Sequence, residues 1–115
     1  MNVTIYHNPR CSKSRMTLEL LRGRSIEPAV VEYLKTPLTE SELIALLEML
    51  KLSPRDLLRK GEAAYKEAGL DQESVSDQKI IQAMVKYPVL IERPIVVANG
   101  KAAIGRPPEN ILNIL

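Results

Sequence analysis

Cys11 is the only cysteine in the 115-residue chain, and it sits in the run His7-Asn8-Pro9-Arg10-Cys11-Ser12-Lys13-Ser14-Arg15. A β-branched, alternating stretch, Val3-Thr4-Ile5-Tyr6-His7, precedes it, and a helical pattern begins at about Ser12. The thiol is therefore expected where the first helical N–H groups have no carbonyl partner and the positive end of the helix dipole lies. Arg10, Lys13 and Arg15 add positive charge close by. These effects favour thiolate over thiol, and the same amides can cradle an oxyanion. A thiolate beside an anion site is the arrangement needed for nucleophilic attack on an oxyanion. The alternative, a small buried hydrophobe, stays open at this stage.

His7, the only histidine, can assist the thiol by hydrogen bonding or by charge, or can be an imidazole satisfied at a strand end. Arg93 and Arg106 each directly precede a proline, which restricts the backbone around them. Arg93-Pro94 opens the third expected strand and Gly105-Arg106-Pro107 follows the fourth. Both arginines can point at one end of a sheet, where α/β folds place their sites, or stand solvated on the surface. Arg59, in Leu57-Leu58-Arg59-Lys60-Gly61, has no local feature that separates it from its neighbours, and periodicity alone leaves it on a solvated helix end. One cysteine and one histidine make no internal disulfide framework and no Cys-rich or imidazole-based metal site.

The elements that must position these residues follow from pattern. The first strand leads into a helix over about Ser12 to Arg22, with Gly23 as its stop, and Ala29-Val30-Val31-Glu32-Tyr33 is a second strand; a helical connection makes the two strands parallel. Helices fill the middle, about 39–87. Thr39-Glu40-Ser41-Glu42 is a capping box ahead of a stripe of Leu43, Leu46, Leu47 and Leu50, and Ser53-Pro54-Arg55-Asp56 is another helix start. A short helix over Ala63–Ala68 stops at Gly69, and Ser76 opens a last one with Ile81, Met84 and Val85 inward. Ile95–Ala98 and Lys101–Ile104 flank Asn99-Gly100, a hairpin turn. An amphipathic helix from about Glu109 closes the chain. The order predicts an α/β fold: a thioredoxin/glutaredoxin-like core with a four-stranded mixed sheet and a helical insertion between the second and third strands.

Composition fits one domain over residues 1–115, with 45% hydrophobic and 26% charged residues and an aliphatic core without Phe or Trp. The net charge of +2 is too small to imply nucleic acid. Its distribution is uneven: residues 1–24 carry five basic side chains against one acid, whereas residues 25–91 carry eight against eleven. The positive excess surrounds the cysteine. With no signal-peptide pattern and no apolar run of about 20 residues, the expectation is a cytoplasmic chain without a membrane partner, its thiol reduced. A monomer is the default for so small a domain.

His7-Asn8-Pro9-Arg10-Cys11, Leu57-Leu58-Arg59-Lys60, Glu92-Arg93-Pro94-Ile95-Val96-Val97 and Gly105-Arg106-Pro107 resemble the motifs of glutaredoxin-dependent arsenate reductases, the ArsC family. The resemblance covers essentially the whole chain, in order and at matching spacing. It implies that Cys11 attacks arsenic in arsenate, that Arg59, Arg93 and Arg106 form a cage around the oxyanion, and that His7 and Ser14 support the thiolate. Pro94 would be the cis-proline beside the active cysteine. No bound cofactor is implied. Glutathione is a co-substrate that joins the arsenic, glutaredoxin removes it, and the arsenite adduct is hydrolysed.

Two departures from the family pattern stand out. Ser12-Lys13-Ser14-Arg15 replaces the Gly-Thr-Ser-Arg of the best-known members, which adds a cation and bulk at Lys13. The chain reaches Leu115 where members devoted to arsenic resistance commonly carry a longer tail. Two other functions use the same residues. Spx-type regulators share the fold and bind RNA polymerase, but many sense oxidation through Cys-x-x-Cys, and the second position here is Ser14. A monothiol glutathione-dependent oxidoreductase would use the same Cys11 on another substrate.

Overall fold

β-branched residues dominate the strands that carry the molecule's first unit. β1 (Val3–Tyr6) alternates buried and half-buried side chains, and β3 (Ile95–Ala98) is buried along most of its length. β2 (Ala29–Val31) runs parallel to β1, while β3 is antiparallel to β1 and β4 (Lys101–Ile104) antiparallel to β3. The sheet order is β2-β1-β3-β4. This is the mixed sheet expected from the sequence, with the central helices entering the chain between β2 and β3. The computed structural model describes residues 2–115, and the chain divides into one unit of Met1–Thr36 with Arg93–Leu115 and another of Pro37–Glu92.

In the first unit, α1 (Ser12–Gly23) and a C-terminal 3-10 helix (Pro108–Ile114) pack together, and the 3-10 helix also lies on β3 and β4. Val3 pairs with Ala98 and Ile5 with Val96 across the β1–β3 ladder, and Ala103 pairs with Val96. Two-residue periodicity puts these side chains on one face, where they form a core with Leu21 and Ile111. Asn99 and Gly100 both have positive φ, 55° and 72°, as a two-residue turn matched to strand twist requires.

Several boundaries differ from the sequence reading. α1 runs through Gly23, and the reversal falls instead on Ser25 at φ 61°. Ser25 N–H donates to the Arg22 carbonyl and Ile26 N–H to that of Leu21, a Schellman closure in which Ile26 packs on the core containing Leu21. β2 stops at Val31 because Glu32 accepts from the N–H groups of both Lys35 and Thr36 and so turns out of the ladder. The C-terminal helix is 3-10 throughout, with Pro107 and Pro108 at its start.

The second unit holds α2 (Glu40–Leu50), α3 (Ala63–Glu67) and α4 (Asp77–Lys86), with 3-10 turns at Pro54–Leu57 and Pro88–Leu90. The capping box at Thr39 closes with Glu42, and a second closes Ser53 with Asp56. α4 packs on α2 and on both 3-10 turns. Its buried residues are Ile80, Ile81 and Met84; Ile80 takes the inward place expected of Val85. Leu58 and Ile91 form an isolated antiparallel bridge.

Glycines separate crowding from conformational freedom. A Cβ on Gly105 would lie 2.5 Å from Thr17 Oγ1 and 2.9 Å from Pro94 Cγ, both within the first unit, whereas one on Gly23 meets nothing within 4 Å. Gly105→Ala is expected to cost about 1–3 kcal/mol from overpacking. Gly23→Ala, inside a helix, should stabilise by about 0.5–1 kcal/mol. Urea denaturation of the two variants checks the opposite signs.

Candidate active site

The register of the sheet decides which loops meet. Tyr6 at the end of β1 faces Ile95 at the start of β3, and Ile95 faces Ile104 at the end of β4. The segment after β1, the residues before β3 and those after β4 therefore emerge at one end of the sheet. They carry Cys11, Arg93 and Arg106.

Cys11 is the N-cap of α1, in extended conformation, and is partly buried. Its own N–H donates to the Asn8 carbonyl at 3.0 Å, and its carbonyl accepts from Arg15 N–H at 3.0 Å, so the loop turns directly into the helix. Asn8 Oδ1 accepts from Arg10 N–H at 3.0 Å, and Arg15 Nη1 donates to the Pro9 carbonyl at 2.8 Å. Arg106 Nη1 lies 3.8 Å from Cys11 Sγ and 3.3 Å from the Arg93 carbonyl. Asn110 Nδ2 donates to the Arg106 carbonyl at 3.0 Å and ties this arginine to the C-terminal helix.

Burial is the largest single influence on the Cys11 thiol and pushes its pKa up. The Ser14 N–H, the Arg93 guanidinium (by hydrogen bond and by charge) and the Lys13 N–H together outweigh it, so the pKa lies below the ordinary thiol range. The neutral thiol closes no cap hydrogen bond. These N–H groups act on the ionised form, as the orphan amides of a helix start do. Lys13 thus contributes through its backbone.

Behind the sulfur lies a buried polar cluster. Ser14 is fully buried, and its Oγ sits 2.6 Å from His7 Nδ1 while accepting from Asn8 N–H at 3.0 Å. His7 N–H donates to the Val31 carbonyl at 2.8 Å, which anchors the residue beside β2 although β1 has ended. Burial pushes the His7 pKa down; Glu32 raises it, and Arg22 and Arg15 lower it. The net fall leaves the ring neutral at pH 7, which selects the hydrogen-bonding option over the imidazolium one.

Arg93 and Arg106 are thus brought to the sulfur. Both of their following peptide bonds, Arg93–Pro94 and Arg106–Pro107, are cis. Arg59 belongs to the other unit. There its N–H donates to the Leu90 carbonyl at 2.8 Å, its Nε to Glu62 at 3.2 Å and its Nη1 to Glu92 at 3.0 Å. Among the described residues, no group of three or more His, Cys, Asp or Glu is placed to hold a metal, and no helix is long and apolar enough to cross a membrane.

Sequence reasoning passed over three positioning residues. Asn8 holds the loop by backbone and side chain. Thr17, fully buried, bonds the Lys13 carbonyl at 2.8 Å and presses against Gly105. Gly105, whose N–H donates to the Pro94 carbonyl at 2.9 Å, lets the residue before Arg106 approach α1. Only Gly105 had a visible signal, its place between a strand and Arg106-Pro107.

Known proteins share this sequence and fold. The family model of the ArsC family matches residues 6–114. The chain is 57% identical to the YfgD protein of Escherichia coli (strain K12), over 98% of this chain and 96% of that one. It is 45% identical to the arsenate reductase of the same organism, over 99% of this chain and 81% of the relative. Among solved structures, an arsenate reductase from Vibrio cholerae superposes with a TM-score of 0.98 at 50% identity, covering 100% of this chain and 98% of the other. Fold and sequence converge: the chain belongs to the ArsC family and has its thioredoxin-like fold.

Proposed function

We propose that this protein is an arsenate reductase in which Cys11 is the nucleophile and glutathione and glutaredoxin supply the electrons. The observation that carries the reading is the approach of Arg106 Nη1 to within 3.8 Å of Cys11 Sγ, with Arg93 acting on the same sulfur at the N-terminus of α1. Guanidinium forks match the oxygens of a tetrahedral anion and stay charged at any working pH. They also offset the repulsion between a thiolate and an anionic substrate, and the charge that develops during attack.

In the first step the Cys11 thiolate forms a sulfur–arsenic(V) bond and one arsenate oxygen leaves as water. A glutathione thiol displaces a second oxygen, again as water. A glutaredoxin thiolate then attacks the glutathione sulfur. The sulfur–arsenic electron pair passes to arsenic, giving arsenic(III) and a glutaredoxin–glutathione disulfide. Hydrolysis of the remaining sulfur–arsenic bond releases arsenite and restores Cys11. A chain with one cysteine cannot close a disulfide on itself, so the reducing equivalents come from outside.

His7 and Ser14 support the thiolate by position, the neutral ring bracing Ser14 at the helix start. The family pattern adds Arg59 to the arginines that bind the oxyanion. Dependence on cytosolic reductants assigns the protein to the cytoplasm, and its small size assigns it as a monomer.

Two measurements test this reading. The iodoacetamide alkylation rate of Cys11 should rise with pH through a midpoint below the ~8.5 of a free thiol. Arg93→Ala should move that midpoint upward, since losing a cation disfavours the thiolate; a wild-type midpoint at 8.5 or above removes the activated nucleophile. In an arsenate assay coupled to glutathione and glutaredoxin, Cys11→Ser should abolish turnover. Arg59→Ala, Arg93→Ala and Arg106→Ala should each lose about 10²–10³-fold. Arg22→Ala, which breaks only an exposed pair with Glu27, should stay within about twofold. Equal losses at Arg22 and Arg93 would end the cage assignment.

A further inference from the structure

The β1–β2 register brings one more segment to the same end of the sheet. Tyr6 faces Val31, so the turn that follows β2 lies beside the loop that leads to Cys11. Between them is a groove of about 280 Å³, walled by residues 7–10 on one side and by Glu32, Leu34 and Lys35 on the other. Its loop side ends one residue before the nucleophile, within about 3.8 Å between α-carbons. In the arsenate steps the side chains of Arg10, Leu34 and Lys35 have no assigned part.

Both walls are braced. Asn8 and Pro9 are tied to Arg10, Ser14 and Arg15, and Glu32 accepts from Lys35 and Thr36 N–H groups at 2.9 Å each. The charged tips are open. The Arg10 guanidinium has no hydrogen-bond or ion-pair partner among the described residues. Lys35 meets Glu32 at 3.6 Å with side chains 79% and 38% exposed, a pair that an incoming carboxylate can displace. Leu34, 39% exposed, adds an apolar wall. The groove therefore offers two cations, one anion and an apolar patch beside a reactive sulfur, with a volume near the lower end for small-molecule sites.

We propose that this groove seats the glutathione whose thiol reacts with the arsenic held on Cys11, an inference that rests on the thiolate reading above. A tripeptide with two carboxylates and one ammonium carries −1 at neutral pH and complements the +1 of Arg10, Lys35 and Glu32. The carboxylates meet Arg10 and Lys35, the ammonium meets Glu32, and the cysteinyl sulfur faces Cys11. The same seat serves thiol–disulfide exchange. There the Cys11 thiolate attacks oxidised glutathione, a protein–glutathione disulfide forms, the glutathione S–S bond breaks, and one glutathione thiolate leaves.

The test compares two disulfides on the same protein, without arsenic. Stopped-flow rates of Cys11 modification are measured with oxidised glutathione and with bis(2-hydroxyethyl) disulfide, which lacks carboxylates and ammonium. For wild type the ratio should favour glutathione, and in the Arg10→Glu/Lys35→Glu variant the ratio should fall by about tenfold or more. Taking a ratio cancels any change in thiolate fraction. S-methylglutathione, which cannot react, should shift the amide NMR signals of residues 8–10 and 32–36. An unchanged ratio, or shifts confined to other residues, overturns the proposal even in a protein that reduces arsenate. A protein that keeps the selectivity but does not reduce arsenate sustains the groove and ends the arsenate reading alone.

Discussion

Favouring the ionised form of a partly buried sulfur against the pull of burial is the constraint on which the rest of the site depends. Burial alone favours the neutral thiol, and it is the largest influence on Cys11. The balance turns only because backbone N–H groups at a helix start and a guanidinium arrive together from separate parts of the chain. Ser14 and Lys13 come with the helix that Cys11 caps. Arg93 comes from the start of β3, roughly eighty residues later. The sheet register is what makes these distant groups neighbours, because the ends of β1 and β4 and the start of β3 all lie at one edge.

The residues that keep this arrangement in place are small and buried. Ser14 has no room to turn, with His7 on one side and the Asn8 N–H on the other. Thr17 closes one flank of α1 against Gly105, where a single added methyl group would collide. Removing a buried partner from such a cluster strands the others, at about 1–3 kcal/mol each, so a structural cost accompanies any change here. Arg106 is exposed, yet its backbone is fixed by Gly105 before it and by Asn110 after it.

The second unit is held by capping and packing. Two capping boxes start α2 and the following 3-10 turn, and α4 presents Ile80, Ile81 and Met84 to its interior. Arg59 stands apart from that apolar logic. Its two ion pairs, to Glu62 and Glu92, hold a planar donor in one orientation with less than a quarter of its side chain exposed. That distinguishes this arginine from Arg22, whose pair with Glu27 is open to solvent.

Local chemistry was legible from residues alone. The strand before Cys11, the helix after it, the capping box at Thr39, the helix start at Ser53 and the Asn99-Gly100 turn rest on interactions within a few residues, and patterns of two and 3.6 record them. The charges of Arg10, Lys13 and Arg15 were visible for the same reason, but the cation that acts on the sulfur is Arg93, from far along the chain. Arg59, Arg93 and Arg106 were single arginines until a family resemblance grouped them, since no periodicity relates residues 11, 93 and 106. The reversal at Ser25, the early end of β2 and the 3-10 form of the last helix also escaped, because each depends on which carbonyls the folded neighbours leave available. The sequence by itself determined the single thiol, its place at a helix start and the order of the elements. Tertiary structure alone decided that Arg93 and Arg106 reach that sulfur and that Thr17 and Gly105 touch. Strand register and close packing are properties of pairs far apart in the chain, and the energy that selects them exists only once both members are in place.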